Sequence, residues 1–432
     1  MPKNETVSKQ MLQVAQQCLN ANQVVPGPES IFVKLVEDRA DLALVLIQRL
    51  ARSYLPMKDI NQLLGTLVGT LNGVEEPFAN NTISYYRTLL KALFVTLRAY
   101  QMGDAKAAGE GAAEASSVTL TQTVLNLLDA VVGRGFRALV SLVHDGDSDI
   151  CPEDFGLLTA ILQACLCLPN IDQAQTQILN IMATHDVVNA ATSLFSWADK
   201  LAVHGDPVYG ELSVLFLLEL STLSMVAEQL ACDGILSNLL SANITKFILK
   251  SHISPNSDTP IAQRCYSIWV KGFLPLMLNF LTSLGAAVAP EIAYILNQFS
   301  HLLKASVDRF EAPGASRTVS RSANQYITLL ATSEIHSLAL LSRVVTALRT
   351  NNNRDIVAVD WDASAVLENV EYWLSSRRLL KERLLPLGQR EMEWRGTKIG
   401  SANGTDSDNV LEDKVVCQLE TVRDVLSEEF DG

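Results

Sequence analysis

Apolar residues, leucine above all, recur every three to four positions from one end of this 432-residue chain to the other, and almost no stretch alternates as a strand does. Because this spacing places the apolar side chains on one face of an α-helix, the sequence predicts an all-α protein. We expect about sixteen helices of roughly ten to thirty residues, joined by short connections. One runs from Met57 to Asn72, and another covers residues 290–310 with Pro290 in its first turn.

The length of the chain favours an extended array of helices. A chain of this size exceeds the point at which one hydrophobic core keeps growing. Consecutive amphipathic helices without strands predict an irregular armadillo/HEAT-like α-solenoid, a superhelix of antiparallel helix pairs. We expect a single solenoid over residues 1–395, with flexible loops near 104–117 and 311–322. Residues 396–409 are predicted to form a flexible linker, and residues 410–432 an acidic C-terminal helix with a frayed end.

The charge balance argues against one class of partner. The net charge is −13, which is the wrong sign for a protein that grips nucleic-acid phosphates, so no nucleic acid is expected. Residues 401–432 hold nine acidic and two basic side chains. We interpret them as a solvated final helix, with an acidic face for a basic partner as the alternative. The seven scattered cysteines fit a reduced, cytosolic or nuclear protein.

The most apolar stretch, residues 269–290, is interpreted as a buried helix. It is interrupted by Lys271, Pro275 and Asn279, which a membrane span would disfavour. A helix beginning at Pro260 should bend at Pro275 and end at Gly285. The sequence therefore predicts no direct membrane span.

Motifs for catalysis and cofactor binding are incomplete. Residues 145–149 resemble the start of a calcium-binding loop, but Ile150 stands where the loop needs glycine and Gly156 where it needs glutamate. No cysteine and histidine spacing matches a metal site, and no phosphate-binding loop or nucleophile elbow occurs. We therefore expect no enzyme, no metal and no cofactor, although an enzyme with an unrecognised site or a helical regulatory subunit stays an alternative.

The segment 363–395 is the candidate partner-binding surface. Its apolar stripe lies beside a cluster of arginines, and tryptophan with arginine is the combination that interface hot spots use. The alternative is that Trp373 belongs to the core and the arginines form a solvated face. The candidate residues are Trp373, Arg377, Arg378, Leu380, Leu384 and Trp394.

Three stretches carry a family resemblance: residues 216–245 (FLLELSTLSMVAEQLACDGILSNLLSANIT), 265–299 (CYSIWVKGFLPLMLNFLTSLGAAVAPEIAYILNQF) and 366–380 (VLENVEYWLSSRRLL). They resemble the C-terminal region of the large inner-ring scaffold nucleoporins, more closely the nucleoporin 188 type than its relative, the nucleoporin 192 type. The resemblance implies a karyopherin-like superhelix that forms the tail of a longer protein. It also implies that Met1 does not begin the native protein.

The same resemblance implies a function at the nuclear pore complex in the nuclear envelope. A scaffold of this kind holds helical linear segments of other nucleoporins, among them the inner-ring coiled-coil adaptor and linker nucleoporins, and contacts FG repeats. It supports nucleocytoplasmic transport without catalysis. The alternative is a soluble, karyopherin-like transport receptor or adaptor that binds FG repeats or cargo.

Overall fold

The regular structure of the chain is helical wherever it is described. The computed structural model describes residues 2–23, 30–52, 56–107, 114–146, 149–250, 253–313, 326–350, 355–399 and 407–430. Within these ranges β-structure is limited to three isolated bridges. The chain divides into two compact units, Met1–Leu194 and Phe195–Gly432. The prediction of an all-α protein is confirmed, and the single solenoid over residues 1–395 stays a prediction.

The first unit contains eight complete α-helices within its described residues. A π-helical turn, Leu128–Gly133, joins α5 directly to α6, and a short 3-10 turn, Ile171–Ala174, precedes α8. The unit boundary falls inside a ninth helix. The helices are α1 Pro2–Gln23, α2 Ser30–Ala51, α3 Met57–Asn72, α4 Ile83–Ala107, α5 Glu114–Leu127, α6 Arg134–Asp145, α7 Pro152–Leu166, α8 Gln175–Thr184 and α9 Val187–Ser196.

The second unit continues the series with thirteen further helices in its described part. A second π-helical turn, Ile268–Phe273, joins α14 to α15, and a 3-10 turn, Gly285–Ala287, follows α15. The helices are α10 Val208–Leu220, α11 Ser224–Cys232, α12 Ile235–Ser241, α13 Asn243–Lys250, α14 Pro260–Ser267, α15 Leu274–Leu284, α16 Ala289–Gln298, α17 Ser300–Phe310, α18 Leu329–Thr350, α19 Ala363–Ser375, α20 Arg377–Arg383, α21 Gln389–Gly396 and α22 Val410–Phe430.

Helix α3 shows how the apolar spacing becomes packing. Its side chains at Ile60, Leu63, Leu67 and Leu71, three or four residues apart, are buried against α1 and α4. An acidic residue in its first turn complements the positive end of the helix dipole. The helix ends at Gly73, as the sequence predicts.

The apolar helix Pro260–Ala287 forms part of the core of the second unit. It is long and apolar enough to cross a membrane, but more than half of its most apolar window is buried inside the structure. Trp269, Phe273 and Phe280 all lie in the core. The π turn comes just before Pro275, which lacks a backbone N–H. The interpretation of this stretch as a buried helix is therefore confirmed. Elsewhere in the described residues, only the bent pair Pro152–Leu166 and Ile171–Thr184, with 105° between them, passes the same test.

The sequence predicts a single helix over residues 290–310, but the structure has two helices there. The chain breaks at Phe299, between α16 and α17. Phe299 is fully buried, and its ring centroid lies 4.7 Å from that of Trp269. Packing of this ring outweighs the local preference for an unbroken helix.

The structure describes part of each segment predicted to be a loop. Helix α4 extends to Ala107 and α5 begins at Glu114, so only 108–113 of the segment 104–117 lies outside the described residues. Helix α17 ends at Phe310, and of the segment 311–322 only residues 311–313 are described. Alanine-rich flanks favour helix although they carry little apolar surface.

The C-terminal helix α22 is a core element of the second unit. One face of it packs on α18 and α19. The predicted linker 396–409 is hydrogen-bonded at both ends, because the Val410 N–H donates to the Thr397 carbonyl at 3.1 Å; residues 400–406 lie outside the described part. The helix is therefore packed on one face, whereas acidic side chains such as Asp424 remain exposed on the other. Its buried residues include Leu411, Val415, Leu419, Val422 and Leu426.

A buried carboxylate connects four elements of the second unit. Glu334 in α18 is fully buried and accepts hydrogen bonds from the Tyr266 hydroxyl at 2.6 Å and from Trp269 Nε1 at 2.9 Å. It also forms an ion pair with Arg309 of α17. A buried charge needs such partners, so this network joins α14, the second π turn, α17 and α18.

A second buried carboxylate joins α4 to α7 in the first unit. Asp154 caps the start of α7 by accepting from the Cys151 N–H at 3.0 Å, and Arg87 of α4 donates to both of its oxygens at 2.6 and 2.8 Å. Burial raises the pKa of Asp154, but these hydrogen bonds outweigh it and leave the pKa below its usual value.

Candidate partner-binding surface

Trp373, the first of the predicted surface residues, lies in the core. Its side chain is 0% exposed, and Nε1 donates a hydrogen bond to the Phe310 carbonyl at 2.8 Å. The ring stacks edge-on with Tyr372, with 5.5 Å between centroids. The sequence placed Trp373 on an apolar stripe, and burial of that stripe against α17 and α22 explains why it is not accessible. Its assignment to the partner-binding surface is therefore corrected.

Leu380 and Leu384 are also core residues. Leu380 is fully buried and Leu384 nearly so. Leu384 forms an isolated parallel bridge with Ile327, in which the Leu385 N–H donates to the Ile327 carbonyl at 2.8 Å. The two leucines attach α20 and the chain after it to the body of the unit. Neither can contact a partner without unfolding this attachment.

The two predicted arginines of α20 differ in their surroundings. Arg378 is 94% exposed and lies 3.4 Å from Glu382 one turn later. Arg377 is partly covered, and its Nη2 lies 3.7 Å from Glu420 of α22. Its buried Nη1 has no hydrogen-bond partner among the described residues. Arg378 is free to meet a partner, whereas Arg377 mainly links α20 to α22.

Trp394 lies on the surface between two cations. The ring is half-buried, with the Arg390 guanidinium 4.7 Å and the Lys414 ammonium 4.8 Å from its centroid. Met392 beside it is 60% exposed, and Arg395 is exposed as well. We call these five residues, four from α21 and Lys414 from α22, the Trp394 surface.

Helix α21, which carries four of these five residues, lies on the surface of the second unit. None of its residues is buried. It begins after Gly388, whose φ of 83° is unfavourable for any other residue type, and the Glu391 carboxylate accepts from the Leu387 N–H at 2.6 Å. Burial raises the pKa of Glu391, and attraction to Lys271 opposes this shift. Polar contacts and the Trp394 ring therefore hold α21 in place.

The electrostatics of the segment oppose those of the whole chain. Residues 377–398 contain seven basic and three acidic side chains, a local net charge of +4 in a chain of −13. A half-buried tryptophan flanked by cations offers stacking area, hydrogen-bond donors and a positive field. Such a surface suits a protein partner that brings an apolar side chain and negative charges.

Sequence reasoning missed two members of the Trp394 surface. Lys414 belongs to the acidic C-terminal segment, and only the contact between α21 and α22 brings it to the ring. Met392 lies between two glutamates and follows no apolar stripe. A methionine outside any apolar stripe, in a short basic helix, is the feature of the sequence that could have indicated its exposure.

Chemistry of other kinds has no support in the described residues. No group of three or more His, Cys, Asp or Glu side chains is arranged to hold a metal ion there. The Trp394 surface contains no nucleophile paired with a base.

A protein-family model matches most of this chain. The family described as nuclear pore protein NUP188 C-terminal domain matches residues 63–426, which include both π turns and the Trp394 surface. The chain belongs to the NUP188 C-terminal domain family. The resemblance seen in the sequence is thereby confirmed, and the family is one of nuclear pore proteins.

Individual NUP188 relatives extend the match beyond the domain. Nucleoporin NUP188 of Chaetomium thermophilum is 48% identical over the whole chain, which spans 25% of that protein. Nucleoporin NUP188 of Saccharomyces cerevisiae is 21% identical over 65% of the chain and 18% of its own length. The chain thus spans a quarter or less of the NUP188 proteins it matches.

A solved NUP188 structure has the same fold. The segment of Nup188 from Myceliophthora thermophila comprising residues 1445–1827 is 53% identical, covers 87% of this chain and all of its own, and superposes with a TM-score of 0.74. The helical architecture described above is therefore that of the C-terminal domain of NUP188.

Proposed function

We propose that this chain is a non-enzymatic scaffold module of the nuclear pore complex that binds helical linear segments of other nucleoporins. The observation that carries the proposal is the NUP188 family match over residues 63–426. The implied partners are the inner-ring coiled-coil adaptor and linker nucleoporins. Through them the module supports nucleocytoplasmic transport.

The Trp394 surface is the proposed place of contact. An amphipathic partner helix would lay an apolar side chain against Trp394 and Met392 and acidic side chains against Arg390, Arg395 and Lys414. Arg378, the exposed residue of the original candidates, extends the positive field on α20. Of the remaining candidates, Trp373, Leu380 and Leu384 lie in the core and Arg377 links α20 to α22.

The irregular armadillo/HEAT-like solenoid is part of the same proposal. Successive helices pack on one another within each unit, as α1 does on α2 and α3 on α4. Stacked helix pairs of this kind cover each other's apolar faces and leave long surfaces for linear segments. Small-angle X-ray scattering tests the solenoid, because its radius of gyration should exceed the value of about 22 Å expected for a compact body of this length.

The test of partner binding is capture of purified adaptor and linker nucleoporin fragments by the full chain. Trp394→Ala and Lys414→Glu should weaken capture by about thirtyfold or more, because they remove a hot-spot ring and reverse a flanking charge. Trp197→Ala is the matched control, since Trp197 is an exposed tryptophan with Lys200 at 4.0 Å from its ring centroid.

Two results would contradict the proposal. Capture that survives Trp394→Ala and Lys414→Glu excludes the Trp394 surface. Absence of any adaptor or linker binding, with binding of FG peptides or transport cargo instead, excludes the scaffold function and favours the karyopherin-like receptor.

A further inference from the structure

A short segment between α18 and α19 crosses the surface of the second unit without forming a helix. It comprises residues 356–361 and is held at both of its ends. Ile356 and Trp361 are buried, and Trp361 Nε1 donates a hydrogen bond to the Ser306 hydroxyl of α17 at 3.0 Å. Most residues between these two anchors are exposed. The backbone there is therefore fixed in place and accessible.

The side chain of Asn297 in α16 pairs with one edge of this segment. Its Nδ2 donates to the Ala358 carbonyl at 2.9 Å, and its Oδ1 accepts from the Asp360 N–H at 2.8 Å. Alternate residues of an extended strand direct their backbone groups to the same side, and a neighbour in a parallel ladder bonds to them in this way. The Asn297 amide therefore takes the place of a neighbouring strand.

The opposite edge of the segment has no such neighbour. In an extended segment the N–H and C=O groups of Val357 and Val359 point away from Asn297. Among the described residues none of these four groups has a hydrogen-bond partner. We call the four groups the Val357 edge. An accessible strand edge of this kind is a template for pairing with another chain.

Two exposed apolar side chains accompany the Val357 edge. Val357 itself is 57% exposed. Tyr294 of α16 is 62% exposed and lies three residues before Asn297, which places both on one face of the helix. Tyrosine is enriched in protein interfaces because its ring offers a large contact area. An incoming strand would thus find apolar surface as well as backbone groups.

The charges around the Val357 edge are all negative. Residues 355–362 and helix α16 together carry four carboxylates and no basic side chain. All four are exposed, and none forms an ion pair with a described residue. A partner with basic side chains would be attracted here and an acidic one repelled. The carboxylates are those of Glu291, Asp355, Asp360 and Asp362.

We propose that the Val357 edge is a second partner-binding site, which takes an extended basic segment of a partner protein as an added β-strand. Main-chain hydrogen bonds to Val357 and Val359 hold the segment, and an apolar side chain lies against Val357 and Tyr294. Basic side chains at alternate positions face the surrounding carboxylates. The Trp394 surface suits an acidic helix instead, so this site has a different occupant and does not rest on the function proposed above.

The test is the binding of a short lysine peptide to the full chain, measured by fluorescence anisotropy. The probe is fluorescein-Thr-Lys-Val-Lys-Val-Lys-Thr-amide, in which lysine and valine occupy the two faces of a strand. It should bind saturably and about tenfold or more tightly than the peptide with glutamate in place of each lysine, because the carboxylates repel the latter. Amide hydrogen exchange of the complex should be slowed at Val357 and Val359.

Two N-methylated forms of the lysine peptide distinguish strand pairing from attraction between charges. One form carries N-methyl groups on both valines, and the other carries them on the second and third lysines. Each form keeps every side chain but loses donors from one edge, and a bound strand uses one edge. One form should therefore bind about tenfold or more weakly than the unmodified peptide, and the other should bind as the unmodified peptide does.

Proline substitutions in the segment provide a matched pair of variants. Val357→Pro removes an N–H of the Val357 edge, whereas Ala358→Pro removes one on the side of Asn297 that has no described partner. Both residues are exposed, so both variants should melt as the original chain does. Val357→Pro should weaken the lysine peptide by about tenfold, and Ala358→Pro should leave its affinity unchanged. Val357→Ala keeps the N–H and should weaken binding less than Val357→Pro.

Four outcomes would overturn the inference. They are equal binding of the lysine and glutamate peptides, equal binding of the unmodified peptide and both N-methylated forms, unchanged affinity in Val357→Pro, and slowed hydrogen exchange confined to other parts of the chain. Displacement of the probe by a lysine-rich amphipathic helix that binds more tightly than any extended peptide would also contradict it, because the surface would then belong to a helical partner.

Discussion

Replacement of Trp373 by alanine should destabilise the second unit strongly. The side chain is 0% exposed, so its loss removes a large apolar surface from the core and leaves a cavity between α19, α17 and α22. Truncation of a buried tryptophan costs about 3–5 kcal/mol. The Phe310 carbonyl also loses the indole donor that lies 2.8 Å away. We therefore expect a loss near the upper end of this range.

Replacement of Trp373 by phenylalanine separates the two contributions. Most of the ring packing remains, but the Phe310 carbonyl is left without its donor. A buried acceptor that loses its partner costs about 1–3 kcal/mol. The phenylalanine variant should accordingly lie between the original chain and the alanine variant.

Tryptophan fluorescence during urea unfolding is the appropriate assay. All five tryptophans of the chain lie between residues 195 and 432, so the signal reports the second unit alone. Trp394→Ala is the control, and it should cost less than about 1 kcal/mol because its half-exposed ring lies on a helix without buried residues. Two results would refute the placement of the two rings. One is an unchanged urea midpoint for Trp373→Ala, and the other is a larger loss of stability in Trp394→Ala than in Trp373→Ala.

Three further substitutions, with Gly65→Ala as the control for the third, test contacts inside the units. Glu334→Ala should lower the free energy of unfolding by about 3–5 kcal/mol in the same fluorescence assay, because Arg309, Tyr266 and Trp269 lose their shared acceptor. A loss under about 1 kcal/mol would contradict the network. Asp154 has a lowered pKa in the folded chain, so its ionised carboxylate stabilises the fold. This stabilisation is complete above the ordinary aspartate pKa of about 4, and it is lost as the pH falls through the lower pKa of the folded chain. Asp154→Asn should therefore lower the melting temperature at neutral pH and flatten its fall in acid, measured by circular dichroism, and an unchanged acid limb would argue against the bond to Arg87. Gly133→Ala should lower the free energy of unfolding by about 1–3 kcal/mol, because the new Cβ would lie 2.6 Å from the His185 ring. Gly65→Ala should raise it by about 0.5–1 kcal/mol, because no atom lies within 4 Å of the new Cβ and alanine favours the helix. Urea unfolding followed by circular dichroism measures both changes.

Helix positions could be predicted from the sequence because the apolar period and the stop signals are local. Helix α3 and its end at Gly73 follow from residues within a few turns. The break at Phe299 could not be predicted, since it depends on Trp269, which is distant in sequence. Division into two units likewise depends on which helices pack together.

The sequence predicted the residue types of the candidate surface but not which individual residues form it. A tryptophan next to arginines indicates an interface, yet the pattern does not say which tryptophan faces outward. Trp373 follows the apolar period and is buried, whereas Trp394 lies outside that period and remains accessible. Lys414 could not be assigned, because its role depends on the contact of α21 with α22.

The two π turns have a consequence for how members of this family are aligned. Each turn, Leu128–Gly133 and Ile268–Phe273, holds one more residue than α-helical winding requires over the same length. A distant member could lose that residue and keep both flanking helical segments, with the following segment rotated by about 100°. A gap of one residue at either place in an alignment therefore indicates a change of helical phase, and the side chains beyond it should be matched by the face they present rather than by their number.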